Sequence, residues 1–117
     1  MRMQGRQHQR MQVPAPFVCS LRRHGLAPLF ARRSAGLGIV FDISPKGAKV
    51  MSETAVKAGD RLSLTLRLPK QMVPVWIESA TVRWAKDHTF GVEFMVLSPV
   101  AQMRLRKFMT LTSSSSH

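Results

Sequence analysis

Apolar and polar residues alternate along most of this chain, with the period of a strand rather than of a helix. The clearest run is Arg61-Leu62-Ser63-Leu64-Thr65-Leu66-Arg67-Leu68, in which four leucines alternate with polar residues before Pro69 ends it. Such a strand buries one face and wets the other. Val13, Ala15, Phe17, Cys19 and Leu21 alternate in the same way. Pro14 and Pro16 fall on the opposite face and donate no ladder bonds, which predicts an edge strand or one that joins its sheet late. Ile39, Phe41 and Ile43 predict a strand over 38–44 with these three side chains buried and Asp42 and Ser44 together on the outer face. Pro45-Lys46-Gly47 breaks that strand, and Ala48 and Val50 resume a short one over 46–51.

The parity slips within Val75–Lys86. Val75 and Ile77 share one face, whereas Ala80, Val82 and Trp84 share the other, and a bulge near Glu78-Ser79 reconciles them. Asp87-His88 reads as a short turn, and Phe90, Val92, Phe94 and Val96 as the last strand. At Ser98-Pro99 the period changes to that of a helix, with serine as N-cap and proline at the first helical position. Ala101, Leu105 and Phe108 fall on one stripe; Arg104, Arg106 and Lys107 are expected toward the C-terminal end, where the helix dipole favours cations. The predicted fold is mainly β: a six-stranded antiparallel β-barrel with a C-terminal α-helix. Residues 1–12 read as a basic N-terminal arm, 13–111 as the barrel and helix, and 112–117 as a frayed tail. The loop over 22–36, rich in arginine, glycine and alanine, has no assignable pattern.

Composition sharpens this picture. At 117 residues the chain is one domain's worth, and 44% apolar residues favour a globular protein. The formal charge of +12 is far from average and needs a partner or another reason. Residues 1–41 hold seven arginines (Arg2, Arg6, Arg10, Arg22, Arg23, Arg32, Arg33) and no acid, so phosphates are the expected target: nucleotide, nucleic acid or anionic lipid. Arginine outnumbers lysine twelve to six, which favours bidentate and stacked contacts. Cys19 stands alone, so no intrachain disulfide forms and a reducing, cytoplasmic compartment is expected. The N-terminus is too polar for a signal peptide, and no apolar run has membrane-spanning length.

Two stretches carry candidate chemistry. Arg2, Arg6 and Arg10 form two overlapping R-x-x-x-R patterns, which a helix would stack on one face and an extended arm would present as separate guanidinium groups. Asp42, Ser44 and Gly47 would put a carboxylate, a hydroxyl and open backbone on one corner. His8, His24, His88 and His117 are scattered and make no metal set with one cysteine. Six acids spread singly along the chain build no nucleophile–base–acid constellation, so a non-enzymatic protein is expected. Trp76 and Trp84 read as packing or rim residues rather than as a base-stacking platform.

In this order the parts resemble the PilZ domain family of bacterial cyclic di-GMP receptors. The resemblance rests on Arg6-Gln-His-Gln-Arg10, on Asp42-Ile-Ser44-Pro-Lys-Gly47-Ala48 (D-x-S-x-x-G), on Ala58-Gly59-Asp60, on Val82-Arg83-Trp84 and on Phe90-Gly91-Val92-Glu93-Phe94. It implies a six-stranded barrel with a C-terminal helix, and cyclic di-GMP as the ligand with no other cofactor. Carried over by motif, the ligand-binding residues are Arg6 and Arg10 on the arm and Asp42, Ser44 and Gly47 on the barrel surface beneath it. The chemistry suits them: a guanidinium fork matches guanine O6 and N7, a carboxylate accepts from guanine N–H groups, and glycine admits the sugar-phosphate. The interval from Arg10 to Asp42 is longer than the family usual, with the excess in the 22–36 loop. That leaves two alternatives, in which Arg32 and Arg33 supply phosphate contacts or the arm is displaced; Arg2/Arg6 is a second register for the pair. The implied function is a receptor or adaptor whose arm closes on the barrel and presents the new surface to a downstream protein. A PilZ-like module that docks on a protein without nucleotide, and a basic nucleic-acid-binding barrel, are the alternatives.

Overall fold

The computed structural model describes residues 11–24 and 35–115, with side chains over 16–24 and 35–110. Six strands precede one helix: β1 (Met11–Arg23), β2 (Ala35–Ser44), β3 (Gly47–Ser52), β4 (Arg61–Leu66), β5 (Val75–Lys86), β6 (Thr89–Val96) and α1 (Pro99–Ser115). The strands close into a barrel in the order β1-β2-β3-β6-β5-β4, and every pair is antiparallel. Closure gives every strand a neighbour on both sides.

The alternations fill the barrel. Phe17, Cys19 and Leu21 from β1, Leu62, Leu64 and Leu66 from β4, and Phe90, Val92 and Phe94 from β6 are all buried, and Leu68 stays in the core beyond the end of β4. Val96, expected to continue the β6 stripe, lies at the barrel rim, exposed. β1 begins two residues before Val13, and it is not an edge strand. It does join late: Met11 and Gln12 pair with Ile43 and Asp42, pairing with β2 resumes only at Phe17, and pairing with β4 starts at Cys19. Pro14 and Pro16 fall in the interruption, where no ladder bond is required of them.

Bulges decide which side chains point inward. Leu62 pairs with Ala80 and Leu64 with Ile77, so Glu78 and Ser79 form the expected two-for-one bulge. A second irregularity, between Val82 and Trp84, places Trp84 opposite Gly91 on the outer face instead of in line with Ala80 and Val82. A third, between Val40 and Asp42, changes β2 in part: Ile43 is fully buried as expected, but Val40 takes the core position, Ile39 faces out and Phe41 is half-buried.

Ser98 caps α1 as expected, its Oγ accepting from the Ala101 N–H at 3.1 Å. Ala101, Leu105 and Phe108 are buried against the barrel end, where the Phe108 ring meets Phe17 edge-on at 5.8 Å between centroids. The helix continues to Ser115, well past the expected fraying, so the three cations sit in its middle rather than in its last turn. Arg104 is instead a tie to the β4–β5 connection, donating to Gln71 Oε1 at 2.6 and 3.1 Å, to Pro74 O at 3.2 Å and to Val73 O. Among the described residues no helix is long and apolar enough to cross a membrane.

Candidate functional site

The corner between β2 and β3 is built by Ser44. Its Oγ accepts from the backbone N–H groups of Lys46 at 3.2 Å and Gly47 at 3.1 Å, closing the two-residue turn around Pro45. Ser44 is therefore only 4% exposed, not a side chain standing on the outer face. The neighbouring strand buttresses the turn, since the Phe94 N–H donates to the Lys46 carbonyl at 2.7 Å. Gly47 faces Glu93 of β6, and a Cβ there would collide with the carbonyl oxygen of Val92. Close approach of β3 to β6 thus already requires glycine at this position.

Asp42 is where the expectation of an outward carboxylate holds. The bulge before it turns the side chain away from the core, 16% exposed, with its Oδ2 3.9 Å from Lys49 Nζ. The register then carries a row across the outer face. Gln12 pairs with Asp42, Asp42 with Lys49, Lys49 with Gly91 and Gly91 with Trp84. From β2 to β5 the row covers three strand spacings, about 14 Å. It runs from a carboxylate through an ammonium group and a bare glycine to an indole that is 40% exposed. In the adjacent row Ser44, Gly47, Glu93 and Thr81 succeed one another, and Arg83 donates to Glu93 Oε1 through Nε at 2.8 Å. A polar outer surface with an aromatic wall at one end suits a planar, polar ligand.

Arg6 and Arg10 lie outside the described residues, as do Arg2, Arg32 and Arg33. The described chain begins at Met11, opposite Ile43, so the residue that follows Arg10 is part of this corner. Pattern alone does not mark Lys49 or Trp84 as site residues. Lys49 is an unremarkable lysine in sequence, and Trp84 reaches this face only through a bulge. Among the described residues no group of three or more His, Cys, Asp or Glu could hold a metal ion.

The family model for the PilZ domain matches residues 4–111. The chain belongs to the PilZ domain family. Solved PilZ structures share its fold at low identity. The PilZ domain of Escherichia coli YcgR with cyclic di-GMP superposes with a TM-score of 0.69 at 18% identity, covering 97% of this chain and 95% of that one. The Bacillus subtilis inhibitor of motility MotI/DgrA gives 0.72 at 20%, covering all of this chain and 56% of that protein. A PilZ domain of CeSA from a cellulose-synthesizing bacterium gives 0.58 at 13%, covering 93% of this chain and 99% of that one. No curated protein matches in sequence. PilZ domains are ligand-binding and adaptor modules, and the barrel and closing helix expected from the alternation are those of the family.

Proposed function

We propose that this PilZ domain is a cyclic di-GMP receptor in which an N-terminal arm carrying Arg6 and Arg10 closes over the outer face around Asp42, Ser44 and Gly47. The observation that carries this reading is the pairing of Met11 with Ile43 and of Gln12 with Asp42. The arm is thereby rooted one residue after Arg10 at the edge of a surface offering a carboxylate, an ammonium group and an exposed indole. Asp42 would accept from a guanine edge, Lys49 would meet a phosphate, and Trp84 would face a base or ribose. Ser44 and Gly47 serve the site indirectly in this reading: one fastens the turn and the other lets β3 and β6 approach closely. Arginine forks from the arm would supply the bidentate contacts to guanine and phosphate.

Ordering of the arm is the proposed output, since it changes the surface offered to a downstream protein in a cytoplasmic signalling pathway. Calorimetric titration of cyclic di-GMP into the wild type, Arg10→Ala and Asp42→Ala, with GTP as control, tests the proposal. Saturable binding by the wild type, abolished in both folded variants and absent for GTP, is the expected result. A silent Arg10→Ala would shift the register to Arg2/Arg6 or to the arginines of the 22–36 loop. No heat from folded wild-type protein would overturn the receptor reading and leave a module that docks on a protein.

A further inference from the structure

β2 and β5 lie opposite each other in the barrel order, so the outer surface has two sides: one over β3 and β6, carrying the Asp42 row, and one over β1 and β4. The second side has its own row. Leu37 pairs with Ser20, Ser20 with Thr65, and Thr65 with Trp76. Leu37 and Trp76 are 68% and 53% exposed, and the two small hydroxyl residues between them leave an open cleft of about 620 Å³. Arg22 lines the cleft beside Ser63. Arg61 at the start of β4 and Arg67 just past its end are both exposed. Arg61 to Arg67 spans about 20 Å along the strand direction. Glu78 is the one carboxylate among the described outward positions of β1, β4 and β5, and the outward carboxylate of β2, Asp42, belongs to the other row.

An exposed indole beside a shallow groove, with Arg22 in its lining, Arg61 and Arg67 beyond its ends and the hydroxyl residues Ser20, Ser63 and Thr65 along it, matches how barrels hold single-stranded nucleic acid. Bases stack on the aromatic face while the backbone follows the cations. We infer that the β1–β4 side is a second, nucleotide-independent site that takes single-stranded nucleic acid, with Trp76 as the stacking platform and Arg22, Arg61 and Arg67 on the phosphates. A groove about 14 Å wide between its walls admits a single strand lying along β1 and β4 and excludes a duplex from the indole face.

Fluorescence anisotropy with a labelled oligothymidylate of about a dozen residues tests this. The wild type should bind it more tightly than a duplex of equal length, with a log–log salt slope of about −2 from three phosphate contacts. Trp76→Ala should weaken binding about tenfold and Trp76→Phe, which keeps a stacking ring, much less. The pair Arg22→Glu and Arg67→Glu should remove most of the affinity. The charge-matched pair Arg106→Glu and Lys107→Glu, on α1, should remove little. Saturating cyclic di-GMP should leave the oligonucleotide bound. The inference is overturned by absence of binding, by equal losses from the two charge-reversal pairs, by indifference to Trp76→Ala, or by displacement with cyclic di-GMP. Because the cyclic di-GMP titration is read on the other side of the barrel, either proposal can fail without the other.

Discussion

The indole of Trp84 lies over Gly91, so closely that a Cβ on Gly91 would come within 2.7 Å of Trp84 Cε2. The bulge turns Trp84 to the outer face, and the glycine opposite lets its ring lie close against β6. Gly91→Ala should therefore lift the ring from the barrel. A loss of about 1 kcal/mol or more in unfolding free energy and a change in tryptophan emission are expected. If Trp84 walls the ligand surface, cyclic di-GMP affinity falls in the same variant.

Gly47 should be intolerant for a reason separate from ligand. Gly47→Ala drives a methyl group into the Val92 carbonyl, and backbone on both strands must move. Chemical denaturation should show a loss of about 2 kcal/mol or more with no nucleotide present. Unchanged stability with lost binding would instead assign Gly47 a ligand-clearing role.

The helix is held by its apolar stripe. Phe108 is 7% exposed and meets Phe17 edge-on, so Phe108→Ala should cost about 3 kcal/mol. The pair Arg83–Glu93, at 2.5 Å but with side chains 54% and 46% exposed, should contribute less than about 1 kcal/mol when tested by Arg83→Ala. Thermal melts of the two variants should separate these effects clearly.

Burial pushes the Cys19 thiol up from 9.0 to about 12, against a smaller lowering by its hydrogen bond to the Gly38 backbone. The folded state thus holds the proton that an unfolded thiol releases. This contribution to stability is complete below about pH 9 and is lost as pH rises from there toward 12. Native protein should resist thiol alkylation at neutral pH, and Cys19→Ala should flatten the alkaline decline of stability at the cost of a small core void. Rapid labelling of folded protein would contradict the burial.

Asp87 and His88 both hold positive φ, 51° and 64°, in the two-residue connection between β5 and β6. This is the mirror-image hairpin turn for which Asn-Gly is the preferred pair. Replacing Asp87-His88 by Asn-Gly should raise stability by about 1 kcal/mol, measured as a shift of the denaturation midpoint at constant slope.

Local chemistry alone determined the strand count, the barrel with its closing helix, the Ser98 cap, the Glu78-Ser79 bulge and the Asp87-His88 turn. Each is written in a short window: the period of apolar residues, a serine before proline, or a parity slip. The β2 pattern misled because Ile39, Val40, Phe41 and Ile43 are all apolar, and a one-residue bulge exchanges faces without leaving a polar signal. Ser44 looked like a surface hydroxyl, yet its nearest donors are the two backbone N–H groups of its own turn, and it is buried satisfying them. The cations of α1 read as C-terminal in sequence because the serine run does not signal that the helix continues to Ser115. Only the closed barrel decided that Asp42, Lys49, Gly91 and Trp84 form one row and Leu37, Ser20, Thr65 and Trp76 another. Cross-strand register joins residues distant in sequence, and it is fixed by the packing of all six strands together.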